Sequence, residues 1–210
     1  MQRVLLGDWG RVIRDPIDVM RLAFGVGAVV SAALGDLEDT ARLGLTFLAV
    51  LGARGLSLPR LFDLAFVIGM ALQAFGNSFS LFTSFRYYDV VVHFVLPLAC
   101  APCLYILLAR WEVVPDLGDE TERHHYLGVL LITFALGFSL GALYEIYEWA
   151  ADHWLGGQLR VGYDDTIADL VDDALASIAG GFFLVLWAER GWGTTRRMPG
   201  EAAKRRAAHG

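Results

Sequence analysis

A chain of 210 residues that is 56% hydrophobic, with a mean hydropathy of +0.49 and only 19% charged residues, falls below the roughly 25% charge of an average soluble domain. That composition excludes an ordinary soluble protein, and two cysteines, Cys100 and Cys103, exclude a disulfide framework. The apolar residues come in long blocks rather than alternating with polar ones, and a spanning helix needs about 20 of them. The fold class expected is therefore all-α: a polytopic integral membrane helical bundle of about six transmembrane helices.

Residues 1–16 form a polar entry with Arg3, Arg11 and Arg14, and Trp9 suits a membrane interface. Met1 to Asp18 is short of apolar residues and carries Asp8, Asp15 and Asp18, so no cleavable signal peptide is expected and the first span serves as the insertion signal. That span runs from about Ile17 to Leu34. After the acidic connection Gly35-Asp36-Leu37-Glu38-Asp39-Thr40, a weaker second span covers Ala41 to Leu51, shortened by Arg54 and Pro59. A third runs from Leu61 to Phe82, and a fourth from Asp89 to Leu108 with Pro97 and Pro102 inside it, which predicts kinks. The charged loop Arg110 to His125 leads into a fifth span, Tyr126 to Ala151. The loop Asp152 to Asp165, with Gly156-Gly157, leads into a sixth, Thr166 to Leu186. Residues 1–190 read as one transmembrane domain, and residues 191–210 as a basic, disordered tail.

Lys and Arg gather in the N-terminal segment, beside Arg54 and Arg60, beside Arg110 and Arg123, and in the tail, whereas the opposite loops hold little beyond Arg42, Arg86 and Arg160. By the positive-inside rule both termini are expected in the cytoplasm. Trp111, Trp187 and Trp192 then mark the cytoplasmic interface, and Trp149 and Trp154 the outer one.

With that topology four spans place polar residues in the same outer half of the bilayer, each set at helical spacing. The third offers Gln73, Asn77, Ser80 and Ser84; the fourth Asp89 and His93; the fifth Glu145, Glu148 and Asp152; the sixth Asp165, Asp169 and Asp172, with Asp173 adjacent. The stripes are expected to face one another. Acids in spans cost several kcal/mol and mark functional sites by default. Glu145 and Glu148 also stand near the C-terminal end of their helix, where the dipole disfavours an acid by roughly 0.3–1 kcal/mol. Converging carboxylates need a bound cation, protonation, or pairing with Arg86 and Arg160. A cation is favoured, because oxygen donors with one imidazole suit Mg²⁺, Mn²⁺, Ca²⁺ or Zn²⁺. The expected ligands are Asp89, His93, Glu145, Glu148, Asp165, Asp169 and Asp172. For Asp89, Asp164 and Asp165, helix capping is an equal alternative, and Asp152, Asp172 and Asp173 could equally be solvated acids.

Other features are weaker. Cys100-Ala101-Pro102-Cys103 has redox-motif spacing but lies deep in a span, so small buried residues are the better reading. His124-His125 sits at the opposite end of the fifth span from the acids, and Gly137 with Gly141 reads as close helix packing. No phosphate loop, nucleotide fingerprint or nucleophile elbow occurs, and no nucleic-acid partner is expected.

At Tyr88-Asp89, His93-Phe94, Ala142 to Trp149, and Asp165 with Asp169, the sequence resembles the YjdF-like family of bacterial inner-membrane proteins, over about Arg86 to Gly181. It is more distantly similar to VanZ-like membrane proteins linked to glycopeptide-antibiotic resistance, departing from them at Val90 and Asp173. The resemblance implies a multi-pass protein of the bacterial inner membrane and supports the same site residues, without giving a substrate.

The functions expected are three. In a metal-dependent hydrolase or transferase acting on a lipid or lipid-linked small substrate, Glu145 or Glu148 would be the general base and His93 a ligand or acid. In a cation or proton-coupled transporter the same carboxylates would carry the ion. In an accessory subunit the ion would be structural.

Overall fold

The computed structural model describes residues 13, 15–56, 58–118, 123–154 and 162–190. The expectations for Trp9, Gly156-Gly157, Arg160 and the basic tail lie outside the described residues. Seven helices are present there, and no strand. Five of the helices are long and apolar enough to cross a membrane. The protein is an all-helical, polytopic membrane protein. By its packing the chain divides into two compact units, residues 1–92 and 93–210.

In the first unit, helix α1 (Pro16–Leu34) starts with Pro16 in its first turn, behind Asp15, whose side chain accepts the backbone N–H of Asp18 at 3.1 Å. It stops at Gly35, whose φ of +81° suits a residue without a Cβ. Asp36 follows at once and caps α2 (Leu37–Gly55), so α1 and α2 form a helical hairpin. Helix α3 (Arg60–Ser78) comes after Pro59, and a single turn, α4 (Leu81–Ser84), follows Ser80, which adopts a left-handed φ of 54°. Buried Ile17, Phe24, Leu43, Val50, Val67 and Ala74 form the core of the three long helices, with Phe24 stacked on Phe75 at 5.0 Å between ring centres.

A buried ion network ties the same helices together. Arg21 donates from Nη1 to Asp18 at 2.8 Å, from Nε to the Val50 carbonyl at 3.0 Å, and from Nη2 to Asp63. Arg54 of α2 reaches Asp18 at 2.8 Å, and Arg60 lies 3.7 Å from Asp15. These bonds bring the C-terminal end of α2 beside the start of α1, so α2 runs back along the whole of its neighbour. The Leu37–Gly55 helix is less apolar than those five, because it carries Glu38, Asp39, Arg42 and Arg54 near its ends. Each of those arginines is paired with an acid: Arg42 with Glu38 and Asp39, Arg54 with Asp18.

The second unit contains α5 (Tyr88–Arg110), whose first residues close the first unit, α6 (His125–Trp154) and α7 (Tyr163–Glu189). Helix α7 is apolar outward and polar inward. Ile167, Val171, Leu175, Ile178 and Phe182 are exposed, while Asp169, Asp173, Ser177, Gly180 and Gly181 are buried. That inversion suits a lipid solvent, where helices associate by close packing of small residues and by polar contacts. Pro97 and Pro102 both lie within the continuous helix α5. Pro102 has no N–H to give the Leu98 carbonyl one turn back, and Gly180 of α7 packs there: a Cβ on it would stand 2.9 Å from that oxygen and 3.2 Å from Pro102 Cδ.

Candidate functional site

Helices α6 and α7 run antiparallel, and two glycines of α6 set how closely they meet. A Cβ on Gly137 would overlap the Ser177 side chain, and one on Gly141 would overlap the Asp173 carboxylate. The glycines thus do pack closely, and polar side chains of α7 fill the space they leave. One turn beyond Gly141 on the same face stands Glu145, and one turn before Asp173 stands Asp169.

His93, in the second turn of α5, is the meeting point. Its Nδ1 lies 3.3 Å from Asp173 Oδ1 and its Nε2 lies 3.7 Å from Glu145 Oε1. Ligand atoms of His93, Glu145 and Glu148 all fall within 4.8 Å of one another, and an oxygen of Asp169 is within the same distance of a His93 nitrogen. Tyr144 meets the imidazole edge-to-face at 5.6 Å, and Thr166 hydrogen-bonds the Glu145 carboxylate. Glu145 is only 5% exposed, yet its Oε1 has no hydrogen-bond partner.

At 1.5 Å per residue, His93 lies about 8 Å inside the start of α5, Asp173 about 15 Å inside the start of α7, and Glu145 about 14 Å short of the end of α6. The cluster therefore occupies one end of the three spans. The N-termini of α5 and α7, with their partial positive charge, are at that end and favour carboxylates there. Exposed Tyr147, Trp149, Trp154 and Tyr163 ring the same end of α6 and α7, where an aromatic belt belongs.

The remaining expected residues fall at graded positions. Asp89 is half-buried in the first turn of α5, one turn before His93; Asp152 and Asp172 are half-buried; Asp165 is exposed in the first turn of α7. The stripe expected on the third span is broken, because α3 ends at Ser78 and Ser80 and Ser84 lie beyond it. Gln73 and Asn77 remain in α3, where Asn77 donates to the Gln73 carbonyl at 3.3 Å. Arg86 lies over the Tyr87 ring at 5.4 Å. Cys100 and Cys103 are buried and form no disulfide, and His125 opens α6 with its Nε2 3.3 Å from the Leu117 carbonyl.

A protein-family model described as "Predicted membrane protein (DUF2238)" matches residues 19–190. The chain belongs to this family. The match takes in all of α2 to α7 and every residue of the His93 cluster in this DUF2238 protein. No curated protein and no solved structure matches it.

Two features of the site escaped sequence reading. Asp173, 1% exposed, is the acid that meets His93, whereas helical periodicity allows Asp172 or Asp173 equally after Asp169. Only the rotation of α7 against Gly141 decides between them. The second is Thr166, which carries no signal of its own.

Proposed function

We propose that this DUF2238 protein binds a divalent cation through His93, Glu145 and Glu148, with Asp169 beside them and Asp89 one turn earlier on α5, at the extracytoplasmic end of its spans. The observation that carries the reading is Glu145 Oε1: buried, without a hydrogen-bond partner, and 3.7 Å from His93 Nε2. A buried carboxylate costs several kcal/mol unless its charge is met. Apart from His93 itself, α5, α6 and α7 offer no Lys or Arg to meet it: none occurs beside the site in 88–94, 145–154 or 163–173, nor from Val95 to Ala109, from Tyr126 to Tyr144 or from Ala174 to Ala188. Mixed oxygen and imidazole donors suit Mg²⁺, Mn²⁺, Ca²⁺ or Zn²⁺.

The reaction we infer is hydrolysis or group transfer on a lipid or lipid-linked small substrate, at the depth where the aromatic residues mark the interface. Held by His93, Glu145 and Glu148, a cation would supply polarisation of a phosphoryl or carbonyl oxygen and a bound water of lowered pKa. Whichever of Glu145 and Glu148 the cation left unengaged would take the proton from that water, and His93 would orient the ligand set or return a proton. The same three stretches, 95–109, 126–144 and 174–188, contain no carboxylate. Thr133 donates to its own helix at Val129, and Cys100 and Cys103 are buried. A one-sided site favours catalysis over ion conduction, which needs polar groups through both halves.

We further infer six crossings, with α2 crossing because it returns along α1, both termini in the cytoplasm, and a place in the bacterial inner membrane, in line with the YjdF-like resemblance. The test of the site is the divalent-ion content of detergent-purified protein beside a Glu145→Gln/Glu148→Gln variant that stays folded. A stoichiometric ion in the wild type, lost in the variant, is expected. Wild-type protein that neither holds nor is stabilised by Mg²⁺, Mn²⁺, Ca²⁺ or Zn²⁺ overturns the reading.

A further inference from the structure

We propose that Asp173 is a positioning residue that fixes His93 as its Nδ1–H tautomer, and that Gly141 is the notch that lets it do so. Two distances decide the placement of the proton. Nδ1 lies 3.3 Å from Asp173 Oδ1, within hydrogen-bond range, whereas Nε2 lies 3.7 Å from Glu145 Oε1, beyond it. An ionised carboxylate only accepts, so opposite an Asp173 carboxylate the imidazole presents its Nδ1–H. That leaves the Nε2 lone pair on the side of Glu145 and Glu148.

The carboxylate reaches this position only because α6 has no side chain at 141. Asp173 Oδ2 has no hydrogen-bond partner and occupies the space that a Cβ on Gly141 would need. Ser177 fills the space beside Gly137 in the same way, one turn along both helices. The two glycine–polar pairs hold α6 and α7 in one antiparallel register, and that register aims Asp173 at His93. The arrangement is a carboxylate–histidine pair of the kind that orients a metal-binding imidazole.

The consequence for affinity rests on the cation reading above; the tautomer does not. The experiment is ¹⁵N-histidine NMR on the full-length protein in detergent, with the His93 signals assigned by their loss in His93→Gln, followed by Mn²⁺ titration. Wild-type His93 is expected as Nδ1–H. In Asp173→Ala it is expected to switch to Nε2–H, and in Gly141→Ala to do the same with the carboxylate chemically intact. The Kd for Mn²⁺ is expected to rise about 10–100-fold in both variants. Wild-type His93 found as Nε2–H, or unmoved in both variants, overturns the positioning role even if Mn²⁺ binds. A tautomer that follows Asp173 in a protein that binds no Mn²⁺ upholds the positioning role and removes the cation reading. If Asp173→Ala does not fold, a wild-type Nε2–H still overturns the role, and Gly141→Ala supplies the switch expected of a wild type found as Nδ1–H.

Discussion

Arg21 sits in a membrane span at 2% exposure with all three of its hydrogen bonds made to other residues of the first unit. Arg21→Met removes the guanidinium but keeps most of the volume of its stem. Asp18 keeps Arg54 at 2.8 Å, so the stranded group is Asp63, together with the Val50 carbonyl, which keeps its own helix. Removing one partner of a buried pair costs about 3–5 kcal/mol, because the other charge stays buried. Arg54→Met leaves Asp18 held by Arg21 and removes a partly exposed pair, so about 1 kcal/mol is expected. Arg60, 45% exposed and 3.7 Å from Asp15, belongs with surface pairs worth about 0–1 kcal/mol. The double variant Arg21→Met/Asp63→Leu leaves no stranded charge and should recover most of the loss. Unfolding in mixed micelles with increasing denaturing detergent, followed by far-UV circular dichroism, compares these variants with the wild type. Equal losses for Arg21→Met and Arg54→Met, or a double variant no more stable than Arg21→Met, would refute the network as described.

Gly180→Ala drives a Cβ against the Leu98 carbonyl, a backbone atom that cannot swing away, and should cost about 1–3 kcal/mol. Gly44→Ala meets nothing within 4 Å and should gain about 0.5–1 kcal/mol from helix propensity; the same micelle titration compares the two. Reporters fused to the two termini should both read as cytoplasmic, since α2 returns along α1. Opposite sides would mean that one helix of the set does not cross.

The spans were legible because blocks of apolar residues near 20 long have few alternatives. Most of their ends moved outward for local reasons, α2 beginning at Leu37 because Asp36 caps it and α6 continuing through Trp154, whereas α3 stops at Ser78, short of the expected Phe82. Arg21 and Asp63 were not legible as a pair. They are 42 residues apart, and nothing in either local pattern says that they meet. Within the site, the acid-bearing faces followed from i, i+3 and i+4 spacing, which fixes a face but not its rotation against a neighbour. The choice of Asp173 at the histidine needed Gly141 across from it, a contact between two different helices that no local pattern encodes.

The two polar clusters differ in how their charge is met, and this separates structure from chemistry. In the first unit Asp15, Asp18 and Asp63 face Arg21, Arg54 and Arg60, so acids and guanidinium groups balance and the network is closed. Around His93 the acids Glu145, Glu148, Asp169 and Asp173 converge on a single imidazole. One imidazolium could offset one carboxylate, and the surplus negative charge remains to be met by protons or a cation. If protons met it, Glu145→Gln would be nearly silent, because a neutral amide replaces a neutral acid of the same shape. If a divalent cation meets it, Glu145→Gln removes a charged ligand and added Mn²⁺ should stabilise only the wild type, by about 2.7 kcal/mol at 100 times Kd. Stabilisation by Mn²⁺ that is equal in wild type and variant would place the ion elsewhere and leave this cluster to protons.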